Sequence, residues 1–157
     1  MRSTLALTLA LGFAVFPGFP ALSQDVAMAQ SDVTGETPEA VDPLEPRSAI
    51  DLDLNDFLWI SRPIVVFADT EADPRFREQL ALLAERPGPL LERDVVIIFD
   101  TDPDAQSEIR RQLRPRGFAL VLMDKDGAVN LRRPSPRDVR EIIRAIDNMP
   151  IRIEETQ

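Results

Sequence analysis

The sequence has 157 residues, 27 acidic and 18 basic side chains, a net charge of −9, and no cysteine, histidine or tyrosine. Those absences exclude thiol–disulfide exchange, cysteine-based peroxidase chemistry, Cys-His and Ser-His-Asp catalysis, histidine-held zinc or haem, and tyrosyl chemistry. The acidic balance, with the export signal at the N-terminus, argues against nucleic acid as a partner.

Met1-Arg2 carries one positive charge, an apolar run follows from Leu5 to Phe16, and Pro17, Gly18, Pro20 and Ala21 come next. That order predicts a secretory signal peptide over residues 1–23, cleaved after Ala21-Leu22-Ser23, or instead after Ala27-Met28-Ala29. The apolar run is shorter than the roughly 20 residues a bilayer span requires. No cysteine follows either site, so no lipid anchor is expected. The protein is therefore expected in the periplasm or outside the cell, with no stable membrane anchor once the signal is cleaved. Residues 24–51 are polar, acidic and proline-bearing, and read as a disordered linker. The remainder suffices for one modest domain, held by its core because no disulfide is available.

Patterned structure is expected from residue 52. Phe57 and Trp59 precede the first strand and read as core or as an edge cover. Ile64–Ala68 is a continuous apolar run, the signature of a strand buried on both faces. Asp73-Pro74 then starts a helix with Phe76, Leu80, Leu83 and Ala84 on one face, and Pro87-Gly88-Pro89 ends it. Val95–Phe99 is a second buried strand. Asp102-Pro103 repeats the cap before a short helix marked by Ala105, Ile109 and Leu113. Phe118–Met123 and Ala128–Leu131 form a hairpin about the turn Asp124-Lys125-Asp126-Gly127. Ser135-Pro136 is expected to cap the last helix, with Asp138 as the box partner. Val139, Ile142, Ile143 and Ile146 form its apolar stripe, Pro150 stops it, and residues 153–157 read as a loose tail. The order β-α-β-α-β-β-α predicts two parallel β-α-β links with right-handed crossovers and an antiparallel edge hairpin. The fold class is α/β, a thioredoxin-like mixed four-stranded sheet with helices on both faces; the hairpin before the last helix disfavours a flavodoxin-like sheet.

Several ordered segments resemble the DUF4174 family. They are Leu54-Asn55-Asp56-Phe57-Leu58-Trp59, Arg62-Pro63-Ile64-Val65-Val66-Phe67-Ala68, Asp73-Pro74-Arg75, Leu91-Glu92-Arg93-Asp94-Val95-Val96, Gly117-Phe118, Leu122-Met123-Asp124-Lys125-Asp126-Gly127 and the stretch from Ile142 to Pro150. The similarity spans about residues 52–152 and implies a thioredoxin-like domain. The family is uncharacterised in bacteria and related to domains of vertebrate extracellular proteins linked to matrix and adhesion. It supplies no established catalytic residue. A thioredoxin would carry Cys-x-x-Cys in the loop that here reads Asp69-Thr70-Glu71-Ala72-Asp73, and a cis-proline near the position of Gly117.

Asp69, Thr70, Glu71 and Asp73 are accordingly the first candidate binding residues, as a cation or partner site; against this, Asp73 is accounted for as a helix cap and its neighbours as a solvated loop. Asp100-Thr101-Asp102-Pro103-Asp104 alternates carboxylates but lacks the Gly and Glu of a calcium loop, and reads as helix capping. Residues 24–104 hold 19 acidic and 6 basic side chains, a balance of −13, whereas residues 105–157 hold 8 and 11, a balance of +3. Arg110, Arg114, Arg140 and Arg144, from this basic half, are the second candidates, for an acidic partner; the plainer reading is surface arginines paired with the acidic half. No catalytic residue, metal ligand or cofactor is assigned. The sequence reads as a non-redox binding module of the cell envelope, its partner an unknown envelope or extracellular protein. The alternatives are a carboxylate- or metal-dependent enzyme, and an accessory of envelope redox or stress systems without thiols of its own.

Overall fold

The computed structural model describes residues 44–157, so the expected signal peptide and residues 24–43 of the expected linker lie outside the described residues. Five strands form one mixed sheet: β1 (Arg47–Ser48), β2 (Arg62–Phe67), β3 (Val95–Asp100), β4 (Ala119–Met123) and β5 (Val129–Arg133), in the order β1-β3-β2-β4-β5. The helices are α1 (Pro74–Ala84), α2 (Pro87–Leu91), α3 (Glu108–Leu113), α4 (Val139–Asp147) and α5 (Pro150–Glu155).

The apolar runs behave as double-faced strands. Ile64 and Val66 of β2 pack under α1, α2 and α4 with Phe76, Leu83, Leu90, Ile142 and Ile146. Val65 and Phe67, one step out of phase, pack on the opposite side with Ala49, Leu54, Phe57 and Ile109. The period of two thus divides each central strand between two cores, which is why it must be apolar throughout.

Six features depart from the sequence reading. Arg47–Ser48 pairs in parallel with Ile98–Phe99 and the chain continues into a 3-10 turn at Ala49–Asp51, so the expected linker enters the fold before residue 52. Only the first β-α-β link is parallel: β2 and β3 align over six pairs, but β4 runs antiparallel to β2 from Ile64↔Leu122 to Phe67↔Ala119. From Asp100 the chain passes through the six-residue α3 and re-enters the sheet at the end it left, with Ala119 and Asp100 both opposite Phe67. Pro87-Gly88-Pro89 does not only end α1; it opens α2, with proline in the first turn where its missing N–H is harmless. Pro150 likewise starts α5 rather than merely stopping α4, and takes Ile153–Glu155 out of the expected loose tail. The cap of α4 is Asp138, which accepts from the Glu141 N–H at 2.8 Å, not Ser135. Buried Gln79 holds the preceding backbone out of the helix: its Oε1 accepts from the Arg137 N–H at 2.8 Å and its Nε2 donates to the Arg137 carbonyl at 3.0 Å. Phe57 is core, as expected, but Trp59 is 70% exposed, at φ +62.

At the start of β2 a buried arginine gathers the far end of the sheet. Arg62, fully buried, donates from Nε to Asp124 Oδ1, from Nη1 to the Arg93 carbonyl and from Nη2 to Glu155 Oε2, at 3.0, 3.1 and 3.0 Å. Lys125 reaches Asp94 and the other oxygen of Glu155, each at 2.8 Å. Burial alone would push the Glu155 carboxyl up; the donors of Lys125, Arg62 and Arg152 outweigh it and bring it from 4.5 down to about 2. Because the folded carboxyl is the more acidic, its stabilising effect is complete above the unfolded value and is lost as pH falls through the folded one. Urea titrations of Glu155→Gln against the parent should therefore show a stability gap that is full above pH 4.5 and closes as the pH approaches about 2. A gap of equal size across that window would place the effect in something other than the ionised carboxylate.

Candidate functional site

The loop from Asp69 to Asp73 leaves the C-terminal end of β2 and is organised by its own residues. Asp73 caps α1, accepting from the Arg75 N–H at 2.9 Å, while the Arg75 guanidinium folds back on the same carboxylate at 2.8 Å. The side-chain hydrogen bond from Arg75 holds the Asp73 carboxyl below its usual range. The Asp73 N–H donates to the Thr70 carbonyl, and Arg77 Nε donates to the Glu71 carbonyl at 3.0 Å. Asp69 and Glu71 are left with exposed carboxylates that diverge. Glu71 borders a cleft with Ser48, Phe99 and Asp102, whereas Asp69 borders another with Gln106, Arg111 and Arg114. Among the described residues, no three carboxylates gather closely enough to hold a metal ion.

Beneath the loop lies a buried pair absent from the expected ligand face. Arg110 Nη2 donates to Asp100 Oδ1 at 2.7 Å, to the Asp100 carbonyl at 3.1 Å and to the Ala68 carbonyl at 3.0 Å, and Nε also donates to Asp100 Oδ1. Its guanidinium lies 5.5 Å from the centre of the Phe67 ring. Ser107 Oγ donates to Asp100 Oδ2 at 2.6 Å and, as the cap of α3, accepts from the Arg110 N–H. Burial pushes the Asp100 carboxyl up, but the hydrogen bonds from Arg110 and Ser107 prevail and hold it below the usual carboxylate range. Arg110 therefore closes the ends of β2 and β3, and its charge is engaged by Asp100, the pairing with the acidic half that was the plainer expectation for it.

The other arginine candidates divide. Arg114 ends α3 in the left-handed region at φ +45 and is exposed between two clefts. Arg140 and Arg144 share a helix face, as their spacing implies, and line a smaller cleft with Arg86 and Ile143 that has no lining residue in common with those of Arg114. Arg116, Arg132 and Arg133, outside the chosen set, join Arg114 around Phe118. The hairpin register carries the signal for them: Leu120 faces Arg133 and Val121 faces Arg132, so the end of β5 lies beside the Arg114-Pro115-Arg116 entry to β4. Gly117, at φ +61, makes that entry tight, with Asp69 Oδ2 3.8 Å from where its Cβ would stand.

The model of the family DUF4174, a domain of unknown function, matches residues 53–155. The chain belongs to this family. No curated protein matches it. Among solved structures, the reduced 2-Cys peroxiredoxin of Plasmodium vivax superposes with a TM-score of 0.51 at 16% identity, over 68% of this chain and 86% of that one. Thioredoxin peroxidase I of Plasmodium yoelii gives a TM-score of 0.46 at 21% identity, over 67% and 80%. The DUF4174 domain thus has the thioredoxin-like fold, without cysteine.

Removing one member of a buried ion pair strands the other. Asp100→Asn should cost roughly 3–5 kcal/mol in urea denaturation, and Ser107→Ala, which deletes the cap and one donor, about 1 kcal/mol. Equal, small losses for both would mean that the pair does not hold the strand ends.

Proposed function

We propose that this DUF4174 domain is an exported, non-redox binding module of the cell envelope, and that it meets its partner with the face formed by the Asp69–Ala72 loop and Arg114. The observation that carries this reading is the cleft of about 580 Å³ between Asp69 on one side and Arg111 and Arg114 on the other. Its lining carries both charges and includes Arg110, which is held by the buried Asp100. Such a surface suits a polar protein segment: the exposed charges select and orient, while the buried pair keeps the backbone from yielding. The enzyme alternatives draw no support from this site, because the acids that would have to converge for general acid–base work point into different clefts. The signal-like N-terminus supports export.

A photo-crosslinking residue in place of Thr70, in the full chain expressed in its native envelope, tests the reading. Discrete adducts are expected, lost when Asp69 and Glu71 are both changed to Ala and kept when Arg140 and Arg144 are. Adducts that ignore the loop and follow Arg140 and Arg144 would transfer the function to the other arginine cleft, and no adduct at all would overturn the module.

A further inference from the structure

We propose that the cleft between the start of β4 and the end of β5 is a site for a small organic dianion, a phosphate monoester or dicarboxylate borne on a short apolar or aromatic body. The inference deepens the binding reading by naming a ligand class for the neighbouring cleft, and it rests on this end of the molecule being a binding surface.

Four arginines, Arg114, Arg116, Arg132 and Arg133, wall a space of about 430 Å³ over Phe118 and Pro134. That volume falls in the range of small-molecule pockets, roughly 300–1,000 Å³. Of the arginines elsewhere, Arg62, Arg75, Arg93, Arg110, Arg111, Arg137 and Arg152 each hold a carboxylate, while Arg47, Arg77 and the Arg86, Arg140 and Arg144 of the smaller cleft are, among the described residues, in no salt bridge. Among the described residues, Arg114, Arg116 and Arg132 take part in no salt bridge, and Arg133 has only a distant contact, its Nε 3.9 Å from Glu141, which Arg137 shares at 3.4 Å. The pairing expected of surface arginines in an acidic protein is therefore missing where they are densest.

The local backbone produces this density. Successive residues of β5 begin on opposite faces of the strand, yet Arg133 turns back along its edge, its Nη1 donating to the Arg132 carbonyl at 3.2 Å. Arg114 and Arg116 reach the same place from the turn before β4, where positive φ at Arg114 and Gly117 reverses the chain. The floor is prepared as well. Phe118 is buried, and the Arg75 guanidinium lies 5.3 Å from its ring centre while its charge is taken by Asp73. Gathering uncompensated guanidiniums is unfavourable, and a dianion reverses the sign of that effect. Planar guanidinium forks fit the paired oxygens of a carboxylate or phosphate, and the apolar floor leaves room for the body that carries them. The smaller cleft of about 270 Å³ near Arg140 has three arginines and lacks the buried aromatic floor.

Isothermal titration of the full chain with phenyl phosphate, succinate and inorganic phosphate tests this. One-site saturable binding is expected for phenyl phosphate or for succinate, and the tighter of the two identifies the oxyanion. Arg132→Gln and Arg114→Gln should each weaken it about tenfold, the loss of one charge-assisted contact, while Arg140→Gln should not. Added salt should weaken it too. Unfolding midpoints near that of the parent verify that these exposed substitutions leave the fold intact. Inorganic phosphate binding as tightly as phenyl phosphate would overturn the organic body. No saturable binding of phenyl phosphate or succinate, or equal affinity in all variants, would overturn the site. Binding of a polyglutamate peptide without either small ligand would overturn the small-molecule site yet leave the loop-dependent partner of the previous section standing.

Discussion

Arg110 lies over the Phe67 ring with its guanidinium against Asp100 and against two strand-end carbonyls. Those carbonyls, of Ala68 and Asp100, lie where β2 and β3 leave the sheet; that of Asp100 also accepts from the Ala68 N–H at 2.9 Å, and Arg110 supplies a donor to both. Arg62 occupies the equivalent position at the other end of β2, reaching Asp124, Glu155 and the Arg93 carbonyl. The central strand is thus closed on both faces by apolar side chains and at each end by a buried cation. In a chain with no disulfide, these two clusters join segments far apart in sequence: β2 to α3 at one end, β2 to the β4–β5 turn and α5 at the other. A buried pair adds little net stability over an apolar substitute, but it penalises every arrangement that leaves one partner alone. What it secures here is the placement of the loops that emerge above it.

That placement explains what the Asp69–Asp73 loop can and cannot do. In outline the fold is that of a reduced 2-Cys peroxiredoxin, a likeness of architecture at 16% identity. The corresponding chemistry is absent by composition, since no thiol exists anywhere in the sequence. The loop has become self-contained: Asp73 caps α1, Arg75 neutralises Asp73, and Arg77 holds the Glu71 carbonyl. Only Asp69, Thr70 and Glu71 keep side chains that an external group could reach. A loop so arranged offers contact and no reactive centre.

Much of this architecture could be read from residue pattern. Continuous apolar runs gave β2, β3 and β4 because burial on both faces leaves no position for a polar residue, and the Val139–Ile146 stripe gave α4 because it has one face to bury. The direction of β4 was not legible, because the segment between β3 and β4 is long enough for a crossover and the element order admits either direction. β1 was not legible: two residues carry no period, and pairing with Ile98 and Phe99 is decided by the vacant edge of β3. For Arg110 a pairing with the acidic half was legible, but not its burial. A surface arginine and a buried one are identical in sequence, and what separates them is Asp100, ten residues earlier on another element, aimed at the same point. The cluster of arginines around Phe118 depends on hairpin register, which sets Arg132 and Arg133 beside the turn before β4 and which a charge balance by segment does not carry.

The uneven charge along the sequence acquires a physical meaning in three dimensions. The acidic half and the basic half meet across the fold: Asp94 with Lys125, Asp100 with Arg110, and in the reverse sense Arg93 with Asp147 and Arg62 with Asp124. Pairing of this kind is concentrated at the ends of β2 and β3 and along α5, where it holds the structure. Among the described residues it is lacking for Arg114, Arg116 and Arg132, as it is for Arg86, Arg140 and Arg144, although exposed carboxylates are plentiful elsewhere on the same acidic protein. Solubility or charge balance alone does not call for four arginines with so little pairing over a buried phenylalanine. Their convergence leaves a region of positive potential on a molecule whose net charge is negative. Such a region draws an anion that an acidic surface repels, so that the overall acidity itself contributes to selectivity.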